Sequence, residues 1–118
     1  MTEEGQVLKD CLDFLSHVPC SRFFRRNIVS GSRHGHYVQS GPKYHADIWG
    51  IFEGRHVEIE IKKPGWIPGK GNAKQTERER KQAEWRQEVI DLGGIALWAD
   101  SLDMLIQKWE TETHGLRT

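Results

Sequence analysis

Residues 47–62 constrain the fold more than any other part of the chain. Asp47-Ile48-Trp49-Gly50-Ile51-Phe52 is an apolar run of strand length, Glu53-Gly54 is a turn pair, and His56 to Lys62 alternates strictly. A period of two is the side-chain period of a strand. Val57, Ile59 and Ile61 therefore share one face, and Glu58, Glu60 and Lys62 the other. Together the two runs predict a hairpin, which Pro64 stops before a Gly- and Pro-rich loop carrying Trp66 and Lys70.

The flanking segments supply helices to cover it. Val7, Leu8, Cys11, Leu12, Phe14, Leu15 and Val18 recur at helical spacing, which predicts a helix over 2–17 ended by Pro19. Phe23, Phe24, Ile28 and Val29 suggest a strand broken by arginines, and 31–42 reads as a turn or hairpin with Tyr37-Val38 in a short strand. A long helix over 75–92 follows, with Trp85, Val89 and Leu92 as its inward stripe and Gly93-Gly94 as its left-handed cap. Ile95 to Ala99 is a short interior strand, and Ser101 N-caps a last helix running through Trp109. Residues 1–110 form one domain and 111–118 a frayed tail. Helix, strands, helix, strand, helix is an α/β order: a mixed β-sheet flanked by α-helices.

Composition bounds the rest. A chain of 118 residues, 36% hydrophobic, builds a single modest core. There is no signal-peptide pattern and no apolar stretch near membrane-span length, so a soluble, cytoplasmic protein without a membrane partner is expected. Cys11 and Cys20 lack CxxC spacing, and the six histidines form no zinc pattern. Net charge is zero, yet no acidic residue lies between Asp13 and Asp47, where Arg22, Arg25, Arg26, Arg33 and Lys43 fall. That stretch suits a phosphate-binding face or an ordinary solvated loop, and charge alone does not separate the two.

Strand alternation sets Glu60 and Lys62 on one side, about 6–7 Å apart. Asp47 begins the partner strand, so its carboxylate can lie beside Glu60. Two carboxylates suit Mg²⁺ or Mn²⁺, and a neighbouring ammonium can stabilise charge developing on a phosphodiester. Glu-x-Lys on a strand is equally the polar face of an edge hairpin with cross-strand ion pairs. Gln82, three residues before Trp85 and four after Arg78, sits on the inward side of the long helix and needs a partner there.

Asp47-Ile48, Ile59-Glu60-Ile61-Lys62-Lys63-Pro64-Gly65, Gln82 and Gly93-Gly94-Ile95-Ala96 together resemble the VRR-NUC domain, a virus-type replication-repair branch of the PD-(D/E)-x-K nucleases. The resemblance runs from the first helix to Trp109. It implies a restriction-endonuclease-like core with Asp47 and Glu60 as acidic metal ligands and the Ile61 carbonyl as a further ligand. It implies Lys62 as the catalytic lysine, Gln82 as the glutamine of the helix motif, and Glu4 as a first-helix glutamate that joins the site, with Glu3 beside it. Ala46 stands where the family usually has proline, and Lys63 where arginine is common.

The resemblance further implies a phage or bacterial Mg²⁺- or Mn²⁺-dependent endonuclease acting on branched DNA as a homodimer, in the manner of Holliday-junction resolvases. A two-fold pair would give each strand its own site. Trp66 and Trp109, aromatics beyond what the core requires, suit such an interface. Arg25, Arg26, Arg33, Lys43 and Lys63 are the expected DNA contacts. Rival expectations are an inactive nucleic-acid-binding module of the same fold, and a metal-independent scaffold or inhibitor of a host factor.

Overall fold

A computed structural model describes residues 1–26 and 44–114 in full and, between them, only the backbone of two short strands. Three helices and six strands are described: α1 (Glu3–Leu15), β1 (Ser21–Arg25), β2 (Gly31–Arg33), β3 (His36–Val38), β4 (Ile48–Phe52), β5 (Arg55–Ile61), α2 (Ala73–Asp91), β6 (Ile95–Ala99) and α3 (Leu102–Thr113). The main sheet has the order β1-β4-β5-β6, and β2 pairs with β3 separately. β1, β4 and β5 are antiparallel, while β6 runs parallel to β5. The molecule is thus a small α/β domain on a mixed four-stranded sheet. Among the described residues, no helix is long and apolar enough to cross a membrane.

Local chemistry explains the elements. The Thr2 hydroxyl accepts from the Gly5 N–H at 2.9 Å and opens α1, whose Val7, Cys11 and Leu15 are buried at a spacing of four. Burial pushes the Cys11 thiol up to about 12, so it is an inert core group. Glu53 and Gly54 join β4 to β5 with φ of 48° and 82°, both positive, as a two-residue type I′ turn requires. A Cβ on Gly50 would come within 2.4 Å of the Arg22 carbonyl oxygen, so glycine lets β1 approach β4. Gly93, with φ of 96°, ends α2, and Arg55 Nε donates to its carbonyl at 2.9 Å.

One face of the sheet is apolar. Val57, Ile59 and Ile61, with their β6 neighbours Ile95, Leu97 and Ala99, pack with Val7, Cys11 and Leu15 of α1 and Leu105 and Trp109 of α3. The other face is polar, and α2 covers it through Gln82, Trp85 and Val89. β5 is therefore buried on both sides, with Glu58 fully inaccessible and Glu60 only 5% exposed. The parallel β5–α2–β6 crossover explains this, because it places a helix over the face that alternation alone assigns to solvent.

Several expectations need correction. Leu92 is 81% exposed and is no part of the inward stripe, because α2 ends one residue earlier and the chain turns away. The tail expected from residue 111 is helical through Thr113, which is buried and donates its hydroxyl to the Trp109 carbonyl. Trp109 is a core residue, edge-on to both Phe23 and Phe52, and gives no surface to a partner.

Candidate active site

The polar end of β5 meets the start of β4 and the middle of α2, and the side chains singled out above converge there. A cavity of about 670 Å³ is lined by Glu4, Asp47, Glu60, Lys62, Lys63 and Gln82, among others. Of the two adjacent glutamates on α1, Glu4 reaches this cavity. Trp66, Lys74, Arg78 and Glu79 border it from the loop after β5 and from the first turns of α2.

Asp47 Oδ2 accepts from the Ile61 N–H at 2.9 Å, which pins the carboxylate against β5. Backbone N–H and C=O of one strand residue face the same neighbour, so the Ile61 carbonyl is directed to the Asp47 side. The carboxyl groups of Asp47 and Glu60 lie close enough for a shared proton to bridge them. Burial, then this hydrogen bond and the Asp47 charge, hold Glu60 well above the usual carboxylate range, while Lys62 and Arg86 pull the other way. Glu60, buried beside another carboxyl, does not ionise readily without a cation.

Lys62 is fixed from two sides. Its Nζ donates to Gln82 Oε1 at 2.8 Å and lies 4.7 Å from the centre of the Trp66 ring. Gln82 is 7% exposed, so its oxygen is satisfied by the lysine, answering the question its position posed. Trp66 is in turn held by its N–H bond to Glu79 Oε2 at 3.2 Å and by edge-on packing with Trp98. With these internal partners, Trp66 does not need a second subunit.

Beside this cluster lies a buried charge that alternation did not single out. Glu58 accepts from Arg26 Nη2 (3.0 Å) and Nη1 (3.4 Å), from Trp85 Nε1 (2.9 Å) and from the Ala46 N–H (3.2 Å), and pairs with His56 Nε2 at 2.7 Å. The Arg26 backbone N–H also bonds the Asp47 carbonyl at 2.7 Å. Glu58 thus ties both ends of the 27–45 segment to β5 and steadies Asp47 through its neighbour Ala46. Arg26, expected as a DNA contact, has its side chain 11% exposed and engaged by Glu58. Arg25 is exposed on β1 and Lys63 at the cavity mouth, whereas the side chains of Arg33 and Lys43 lie outside the described residues.

Sequence reasoning named Trp66 and Glu58 without giving either a role in the site, and missed Arg86. Arg86 had a signal, since it follows Gln82 by four residues on the same helical stripe. Trp66 had none beyond its place in the loop.

A divalent cation fits the donor set. Hard cations such as Mg²⁺ keep several waters and take one or two carboxylates, which is what the Asp47–Glu60 pair offers. Among the described residues, no three His, Cys, Asp or Glu side chains gather tightly enough for an all-protein cluster; Glu4 lines the cavity without closing on the pair. Comparison with protein-family models, curated proteins and solved structures gives no match for this chain.

Proposed function

We propose that this protein is a metal-dependent endonuclease of the PD-(D/E)-x-K type, with a restriction-endonuclease-like core of the VRR-NUC kind, cutting branched DNA. The observation that carries this reading is the juxtaposition of the buried Glu60 carboxyl with the half-buried Asp47 carboxyl and an ammonium held at their side. A polar outer face would leave Glu60 and Lys62 in water. Here Glu60 is buried and Lys62 half-buried under α2, a helix of 19 residues in which only Gln82 and Val89 are buried. Placing a glutamine over a lysine and two carboxyls contributes little to stability and a great deal to chemistry.

Asp47 and Glu60, with the Ile61 carbonyl and Glu4 at its margin, would hold Mg²⁺ or Mn²⁺. Bound there, the ion neutralises phosphate charge and makes water a better nucleophile near neutral pH. Glu60 must give up its proton to ligate. Lys62, held by Gln82 and Trp66, needs no reorganisation to stabilise negative charge on the scissile phosphate. Lys63, Lys74 and Arg78 at the mouth supply positive charge for flanking phosphates, in place of Arg26. The homodimer belongs to this proposal through the resemblance and the symmetry of a junction, since Trp66 and Trp109 no longer speak for it.

The test incubates the protein with labelled four-way-junction and duplex DNA in Mg²⁺, Mn²⁺ or EDTA. Junction-selective, metal-dependent cutting by the protein and not by its Lys62→Met variant is expected. Binding without cutting in every metal would make the chain an inactive binding module, and equal cutting in EDTA would overturn the metal site.

A further inference from the structure

A second cavity, of about 480 Å³, lies along the open edge of β6, bounded by α2 and α3. β6 ends the sheet order, so this edge has no strand partner in the described sheet. The floor is Ala96, Leu97 and Trp98, and the polar lining is dominated by donors: Arg86 and Gln87 from α2, Gln107 and Lys108 from α3. Glu112 is the one carboxylate among the described lining residues.

The two cations are poorly served by the protein. Arg86 lines the cavity half-buried, and its Nη1 is shielded from solvent with no hydrogen-bond partner among the described residues. The carboxyl that favours its charge, Glu60, is itself engaged with Asp47. Lys108 folds round the sheet edge, donating Nζ to the Trp98 carbonyl at 2.7 Å with its ammonium 3.7 Å from the centre of the Trp98 ring. That leaves two of its three N–H donors for other acceptors. Burial works against the charge of both groups, and Arg86 works further against Lys108, with Asp100 opposing. Two neighbouring cations favour an anion over water. A planar fork and a point ammonium on different helices match the several oxygens of a phosphate better than the two of a carboxylate.

We propose that this cavity is a phosphate site, with Arg86 and Lys108 as its charged ligands and Gln107 as a neutral donor, while the Gln87 amide is engaged by Asp91 at 2.9 Å. The phosphate comes either from a small free anion or from a nucleic-acid backbone, and only the second source rests on the nuclease reading.

Inorganic phosphate is titrated into ¹⁵N-labelled protein at constant ionic strength, with chloride as the control. Saturable shifts of the Trp98 indole and of the Arg86 and Gln107 amides are expected. Arg86→Gln and Lys108→Gln should each weaken binding by about ten- to a hundred-fold, the scale of one charge-assisted hydrogen bond. Lys108 is partly exposed, so its variant keeps the test valid if Arg86→Gln folds poorly. Non-saturating shifts equal to those in chloride, or unchanged affinity in a folded Lys108→Gln variant, would overturn the site. A short duplex added in EDTA then identifies the source. Shifts of the same resonances, and a salt slope lowered by about one in Lys108→Gln, assign a backbone phosphate. Phosphate shifts that the duplex leaves untouched assign a free anion. Failure of the protein to cut DNA would leave the phosphate titration standing.

Discussion

Replacing Glu58 should destabilise the protein more than replacing any group in the cavity beside it. The carboxylate is fully buried and satisfies donors from Arg26, Trp85, Ala46 and His56. His56, with its side chain 44% exposed, can turn to water, but the other three cannot follow it easily. Removing one partner of a buried ion pair costs about 3–5 kcal/mol, because the remaining charge is stranded. The Trp85 and Ala46 N–H groups add about 1–3 kcal/mol each if left dry, though the terms share one cavity and do not sum. Glu58→Ala should therefore lose about 4 kcal/mol, a large share of the roughly 5–15 kcal/mol typical of a whole domain. At about 4 °C per kcal/mol for a chain of this size, Tm falls by about 15 °C. Arg26→Met combined with Glu58→Met should recover much of the loss, since an apolar pair strands no charge. Thermal and urea unfolding followed by circular dichroism measure all of this. A Glu58→Ala protein within about 1 kcal/mol of the parent would refute the reasoning.

Four other outcomes follow from the same geometry. Lys62→Met should slow cutting by about 10²–10³-fold with metal affinity retained; Trp66→Leu should lose up to about tenfold in kcat, and Trp66→Phe, which keeps a ring under the ammonium, much less. Glu60→Gln should raise the Tm of metal-free protein at neutral pH. Because the folded Glu60 pKa lies above its ordinary 4.5, the folded state holds the extra proton between those values. Stability therefore falls as pH rises through that window, and the advantage of glutamine should vanish below it; an advantage independent of pH would exclude this cause. Glu53→Asn should add about 0.5–1 kcal/mol by relieving a positive φ in the type I′ turn, as denaturant midpoints would report.

Much of this was legible in the sequence, for physical reasons that can be named. The β4–β5 hairpin and the three helices announce themselves through local periodicity and caps, and those local signals place Asp47, Glu60, Lys62 and Gln82 on their elements. What brings them to one cavity is the βαβ crossover, which sequence order suggests. The errors came where long-range packing overrides period. Glu58 reads as half-exposed until α2 is laid over β5, and Arg26 reads as a free cation until Glu58 is seen beneath it. Trp109 looked superfluous because its partners, Phe23 and Phe52, are far away in sequence. Residues 111–113 carry no apolar stripe in the sequence, although α3 runs through them and buries Thr113.

The metal centre is the claim on which the rest depends, and Mn²⁺ calorimetry tests it most directly. Titration in two buffers of different ionisation enthalpy separates cation binding from the proton that Glu60 must release. One site per chain is predicted, with proton release at neutral pH, and with binding lost in an Asp47→Ala, Glu60→Ala double variant that remains folded. Undiminished binding in that double variant would contradict the assignment.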